Sequence, residues 1–337
     1  MTSHLRSSTA YFKRLYYLTA CSSPKKLYNY LLNKFEKKTG RCILKSLPVQ
    51  VTFEPCNICN LRCPGCVTGA GHPECAEQGF LSLEKFKHIF DQIKDYIFSV
   101  TLHRWGEPFL NKDIFSIIDY ASSSRCDTTL HSNFNIFDED MAIKAIDSRL
   151  THIYLSIDGA TQETYQMYRR GGDLSRVFKN IGILTEMKKK RNSVFPLLTW
   201  KYLVFPFNAH EIGLAKQKAR SLKINSIEFN PGNMDHLATV GVFRHYDPFS
   251  KNTETHFASS CSALWDSIFI NPDGKVMPCC RAFREVDVFG DLTTNSLKDV
   301  WNNDFYLNAR RTVSERRLDA SLRYPCKECG LIRNLNK

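Results

Sequence analysis

No apolar run in the 337-residue sequence is long enough to cross a bilayer, which takes about 20 residues. The first twenty residues are basic and aromatic, but Lys13 and Arg14 interrupt them, and they lack the core and cleavage site of a signal peptide. There is no internal repeat and no low-complexity segment. The basic residues are spread along the chain, without the aromatic-plus-basic pattern of a nucleic-acid module. These absences point to a cytoplasmic globular protein. The length allows two domains and a large core, and 43% hydrophobic with 24% charged residues is ordinary for a globular chain.

Two features are abundant. The net charge of +12 is most simply a solvated basic surface. An acidic or phosphate-bearing partner is the other reading: a nucleotide-linked substrate, nucleic acid or anionic lipid. Thirteen cysteines in a reducing compartment argue for metal ligation over disulfides.

Four cysteines fall within Glu54-Pro55-Cys56-Asn57-Ile58-Cys59-Asn60-Leu61-Arg62-Cys63-Pro64-Gly65-Cys66. This stretch follows the alternating run 49–53, which reads as a strand, so the thiols sit on a loop at a strand's C-terminal end, where α/β barrels carry their chemistry. Cys59, Cys63 and Cys66 have the spacing C-x3-C-x2-C. Three thiolates on one short loop suit three irons of a cubane cluster and leave the fourth iron to a small molecule. Zinc usually joins two C-x2-C knuckles across a dozen or more residues, and these pairs are too close together for that. Cys56 lies outside the triplet and reads as a buried thiol.

The run Cys59-Asn60-Leu61-Arg62-Cys63-Pro64-Gly65-Cys66 resembles the signature of the radical SAM superfamily, in its subgroup with a cysteine-rich C-terminal extension of the SPASM or twitch type. Gly65 departs from it, since many members carry an aromatic residue there, near the adenine. The resemblance implies a [4Fe-4S] cluster that binds S-adenosylmethionine (AdoMet). Reductive cleavage then gives a 5'-deoxyadenosyl radical that takes a hydrogen atom from the substrate. It also implies an open (β/α)6 partial TIM-type barrel.

The patterning agrees with α/β. Strand candidates are 49–53, 100–104, 128–131, 152–157, 198–205 and 226–229; helices are expected at 82–96, 113–122, 139–146, 175–190 and 210–222. Ser82 is a plausible N-cap. We expect an N-terminal helical segment over 1–45, a barrel over 46–250 and a small cysteine-rich domain over 251–337. In the first, a helix over 25–35 ends before Gly40, and its face of Leu27, Tyr28, Leu31 and Phe35 is expected to pack on the barrel, with a peripheral membrane contact as the lesser reading.

Each strand end carries a candidate. Trp105-Gly106-Glu107-Pro108 resembles the family's Gly-Gly-Glu-Pro motif, which holds the methionyl amine. Trp105 replaces the first glycine, so Gly106, Glu107 and Pro108 carry over. Ser132 and Asn133 resemble a ribose- or carboxylate-contacting pair, and Ser156 a residue near the ribose. Arg169, more than its neighbour Arg170, resembles the ligand of the methionyl carboxylate, a role that suits a planar guanidinium. Asp158 faces the substrate or caps the next helix. In the fifth strand, Trp200 and Tyr202 share one face and Lys201 takes the other; the sequence leaves open which points inward.

A second cysteine set follows. Pro272-Asp273-Gly274 makes a hairpin turn between 268–270 and 275–277, with Cys261 before it, Cys279-Cys280 at its end, and Cys326-x2-Cys329 near the C-terminus. By resemblance Cys261, Cys279, Cys326 and Cys329 hold a second, auxiliary [4Fe-4S] cluster, with Cys280 as alternative to Cys279. A single auxiliary cluster resembles the radical SAM cyclitol dehydrogenases. Asn295–Trp301 is expected to include a helix, and Cys21, Cys42, Cys75 and Cys126 to pack only.

The resulting expectation is oxidation of a sugar or cyclitol alcohol, with a flavodoxin or ferredoxin as reductant. A peptide-modifying maturase is the alternative. A zinc- or cluster-stabilised nucleic-acid-binding protein is the alternative of another class. No catalytic base is assigned.

Overall fold

A computed structural model describes residues 20–71, 79–232 and 261–315, together with Cys326 and Cys329. Six strands alternate with helices: β1 (Gln50–Phe53), β2 (Ser99–Leu102), β3 (Asp127–Ser132), β4 (His152–Ser156), β5 (Leu197–Val204) and β6 (Ser226–Pro231). Each pairs in parallel with the next, as in Val51 opposite Val100 and Leu155 opposite Trp200. The result is the expected open (β/α)6 array. Hydrophobic periodicity located all six strands.

The helices between them are α2 (Leu83–Phe90), α3 (Ile114–Ser123), α4 (Glu139–Asp147), α5 (Gln162–Tyr168), α6 (Leu174–Lys190) and α7 (Ile212–Ser221). Ser82 caps α2 as expected, its Oγ accepting from Lys85 N at 3.2 Å. α2 packs through Phe86 onto Phe53 of β1, with ring centroids 4.8 Å apart, and Phe90 stacks on Phe86 at 4.9 Å. Each ring is buried and contributes about 1.5–3 kcal/mol. α2 ends at Phe90, six residues short of the expected end, and the chain continues as turns to Tyr96.

The sheet does not stop at β1. β7 (Ser267–Ile270) lies parallel beside it, with Thr52 opposite Phe269, and β8 (Lys275–Met277) and β9 (Gly290–Asp291) extend the sheet antiparallel. The hairpin turns at Gly274, whose φ of +97° favours glycine. α8 (Leu297–Trp301) and α9 (Asp304–Glu315) follow. Thus the cysteine-rich tail shares one sheet with the barrel.

The N-terminal helix α1 (Pro24–Lys38) corrects an expectation. Its buried residues are Lys26, Asn29, Asn33 and Glu36, all polar. Asn29 donates to the carbonyls of Leu47 and Tyr96 (3.0 and 3.2 Å), and Asn33 to that of Trp265 (2.6 Å). Glu36 accepts from Lys45 N and Ser46 N. The surface beneath offers unpaired backbone groups, which polar side chains satisfy and leucines cannot. The apolar face of Leu27, Tyr28, Leu31 and Phe35 therefore points outward and does not pack on the barrel.

Candidate active site

The C-terminal ends of β1 to β5 surround one cavity. Cys59, Cys63, Cys66, Glu107, Ser132, Asn133, Ser156 and Arg169 all line it. Backbone bonds fix the cysteine loop: Glu107 N donates to Ile58 O at 2.8 Å, and Arg62 N to Arg170 O at 2.9 Å. Gly106 is needed for this contact, because a Cβ there would run into the carbonyl oxygens of Cys56 and Ile58. Its smallness thus serves loop packing, and it also lines the cavity.

The three thiols have distinct surroundings. Cys59 Sγ accepts from Leu61 N at 3.4 Å and lies 3.7 Å from Asn133 Nδ2. Cys63 Sγ lies 3.9 Å from Arg169 Nη1, and Cys66 Sγ 3.8 Å from Trp105 O. Burial pushes the Cys59 thiol up to about 12, and Cys63 is raised for the same reason. Cys56 is buried apart from the cavity, its thiol donating to Glu107 O at 3.1 Å.

Glu107 is held by three donors. Ser132 Oγ reaches Oε1 at 2.7 Å, Asn133 N reaches Oε2 at 2.8 Å, and Phe109 N reaches Oε1 at 3.2 Å. Even so, burial raises its carboxyl to about 7. Ser132 and Asn133, expected as a ribose- or carboxylate-contacting pair, line the cavity and also orient the Glu107 carboxylate. Asp158 is not among the residues lining the cavity, and the cap of α5 is Thr161. Asp158 is fully buried, pairs with Arg169 Nε at 2.6 Å and accepts from Leu203 N at 2.7 Å. Arg169 is held inside the cavity, whereas Arg170 is exposed.

The second cysteine set gathers at the β8 end of the sheet. Cys279, Cys261 and Cys329 all sit close enough to Cys326 to raise its thiol beyond what burial does. Cys280 is exposed. Cys75 lies outside the described residues.

Comparison with known proteins decides the family. The profile of the radical SAM superfamily matches residues 53–201, and that of the SPASM iron-sulfur cluster-binding domain matches 261–330. The chain belongs to the radical SAM superfamily, in its SPASM-type subgroup. It is an enzyme, with iron–sulfur and AdoMet as its cofactors. Among similar proteins, the subtilosin biosynthesis protein AlbA of Bacillus subtilis is 24% identical over 280 residues, covering 76% of this chain. The chain spans 60% of AlbA's own length. The mycofactocin maturase MftC of Mycobacterium tuberculosis is 21% identical over 280 residues, covering 76% of this chain and 71% of MftC. Streptococcus suis SuiB, solved bound to S-adenosylmethionine, shares the fold with a TM-score of 0.63 at 18% identity, over 98% of this chain and 83% of SuiB.

The residues present fit a radical SAM cluster. Among the described residues, no three His, Cys, Asp or Glu side chains converge on a single-ion site. Cys59, Cys63 and Cys66, three thiols of one short loop lining a common cavity beside Glu107 and Arg169, suit a multi-iron group with one position left to a small molecule.

Several residues of this radical SAM site carried no sequence signal beyond strand alternation. His103, His131 and Lys201 line the cavity, while Trp200 and Tyr202 are buried in the outer core. The inward face of β5 is therefore that of Lys201. The rings of His103 and His131 lie 3.7 Å apart, and Tyr154 continues the row 4.5 Å beyond. Burial, with the Lys201 charge, lowers His103 to about 4, so its imidazole is neutral at pH 7. Its Nδ1 has no hydrogen-bond partner among the described residues.

Arg104 was also missed. It extends from β2, buried, and its guanidinium bonds Asn271 Oδ1 and the Ala282 carbonyl, with Glu54 Oε2 at 3.6 Å. One side chain thus joins the barrel mouth to the hairpin that carries Cys279.

Proposed function

We propose that this radical SAM enzyme is a peptide-modifying maturase. The observation that carries the reading is that relatives matching 76% of the chain are a bacteriocin biosynthesis protein and mycofactocin maturases. A further SuiB structure with the same fold holds the precursor peptide SuiA. Sugar or cyclitol oxidation has less support among these relatives, and the peptide takes its place as the main reading.

In this reading Cys59, Cys63 and Cys66 hold the AdoMet-binding cluster, and Cys261, Cys279, Cys326 and Cys329 the auxiliary one. Cys279 is chosen over Cys280 because it lies beside Cys261 and Cys326. When bound, the first cluster and AdoMet supply a 5'-deoxyadenosyl radical able to take a hydrogen atom from the peptide. Glu107 receives the methionyl ammonium, with Ser132 and Asn133 keeping its oxygens aimed. Arg169, pinned by Asp158, presents its remaining N–H groups to the methionyl carboxylate. Ser156 lies beside the ribose. His103, His131 and Lys201 line the cavity wall that meets the substrate. We take 46–250 as the barrel, 251–337 as the auxiliary domain, and a flavodoxin or ferredoxin as electron donor.

Glu107 makes AdoMet binding depend on pH. Its carboxyl in the free cavity sits at about 7. Below that value an ammonium can be accepted only by expelling a proton, so affinity should fall about tenfold for each further pH unit. Between about 7 and 8 it should be flat, until the amine itself loses its proton. Equilibrium dialysis of AdoMet against the reconstituted protein measures this. Glu107→Gln should weaken binding at pH 7.5 and flatten the acid limb; an unchanged acid limb would show that another group receives the amine.

The function itself is tested by anaerobic reconstitution with iron and sulfide. About eight irons per chain are expected, with 5'-deoxyadenosine after reduction. A deuterium-labelled precursor peptide should pass its label into deoxyadenosine. Label transfer from a cyclitol or amino sugar, with none from peptides, would return the alcohol reading.

A further inference from the structure

We propose that the outward face of α1 is a docking surface for an anionic membrane, placed on the side of the barrel away from the catalytic cavity. Leu27, Tyr28, Leu31, Phe35 and, just beyond the helix, Ile43 are 42–70% exposed. With Tyr30 they make up more than half of the exposed large hydrophobic residues among those described. Singly exposed apolar residues are unremarked on protein surfaces, but a contiguous group of this kind marks a contact.

Its occupant follows from charge. Arg41 lies over the Phe35 ring at 5.3 Å, and Lys34 over the Tyr30 ring at 5.1 Å. Lys38 and Lys45 are exposed nearby. Asp95 answers Lys25, Asp266 answers Lys37 and, at 3.8 Å, Lys34, and Glu36 is buried beneath the helix. Three cations against these two carboxylates, with Lys38, Arg41 and Lys45 besides, keep the rim of the face basic. Leucine and aromatic residues ringed by lysine and arginine, on a helix lying flat against the protein, match the boundary between acyl chains and anionic headgroups. A second copy of the chain fits poorly, because it would set two basic rims against each other.

Position argues against the substrate as occupant. The buried face of α1 bonds Leu47 and Tyr96 carbonyls ahead of β1 and β2, and Lys26 reaches the carbonyls of Ser124 and Arg125 ahead of β3. Those are the N-terminal strand ends, whereas the cysteines and Glu107 stand at the C-terminal ends. A membrane bound at α1 leaves the cavity mouth open to a large substrate.

Vesicle flotation of the full chain tests this, using phosphatidylcholine alone and phosphatidylcholine mixed with phosphatidylglycerol. The chain should float with the anionic vesicles, and less so as salt is raised. Leu31→Glu with Phe35→Glu should cut that binding about tenfold or more while leaving the circular dichroism spectrum intact, since both side chains are exposed. Absence of binding, equal binding to neutral vesicles, or binding unchanged in the double variant would overturn the proposal. So would a dimer in analytical ultracentrifugation that the double variant dissociates, which would give the face to a second copy.

Discussion

Cys59→Ala is expected to abolish 5'-deoxyadenosine formation, while Cys326→Ala keeps most of it and loses modified product. The loop that carries Cys59 is held by backbone bonds that do not involve its thiol, from Glu107 N to Ile58 O and from Arg62 N to Arg170 O. Alanine should therefore leave the loop in place and remove one of three ligands. Cys326 is 7% exposed and sits with Cys261, Cys279 and Cys329, outside the lining of the catalytic cavity. Its loss should empty the auxiliary site with the first intact. Iron content should drop towards half in Cys326→Ala, and deoxyadenosine, followed by chromatography, should persist. Circular dichroism separates loss of ligand from loss of fold. If both variants stay folded and lose cleavage equally, the two cysteine sets do not have separate roles.

The barrel strands were legible because a strand buried against helices on one side writes a period of two into its sequence. That period fixes which residues share a face and not which face is inward. For β5 the decision came from packing: Trp200 Nε1 donates to Ile157 O at 2.7 Å and Tyr202 Oη to Asn208 O at 2.9 Å, both in the outer core, which turns Lys201 inward. α1 shows the same limit more sharply. Its apolar stripe is plain in the sequence, but the surface it meets consists of strand-end carbonyls and amide groups, and these selected the polar stripe. The cysteine triplet and Glu107 could be found as local motifs. The pairing of β7 with β1 could not, since it joins residues more than two hundred positions apart. Arg104 and Glu54 gained their roles only through that pairing.

Arg104→Leu carries the largest expected cost in stability, about 3–5 kcal/mol. The Arg104 and Glu54 side chains are each 3% exposed, and they lie 3.6 Å apart. Burial raises the Glu54 carboxyl and the Arg104 charge opposes that rise. Without the guanidinium, Glu54 is left as a buried charge supported by the backbone N–H groups of Trp105 and Gly106. Its carboxyl should then titrate higher still. A folded-state value raised above the unfolded one makes stability fall as pH rises through that interval, so Arg104→Leu should lose less stability at pH 5 than at pH 8. Adding Glu54→Gln should recover much of the loss, because it removes the stranded charge. The bonds to Asn271 and the Ala282 carbonyl are lost in either case. The double variant should therefore still hold the Cys279 loop loosely and bind less auxiliary iron than the parent. Denaturant titrations at the two pH values, with iron analysis of all four proteins, complete the cycle. Strictly additive losses, with no pH dependence in the single variant, would show that Arg104 stabilises the protein through its hairpin contacts and not by neutralising Glu54.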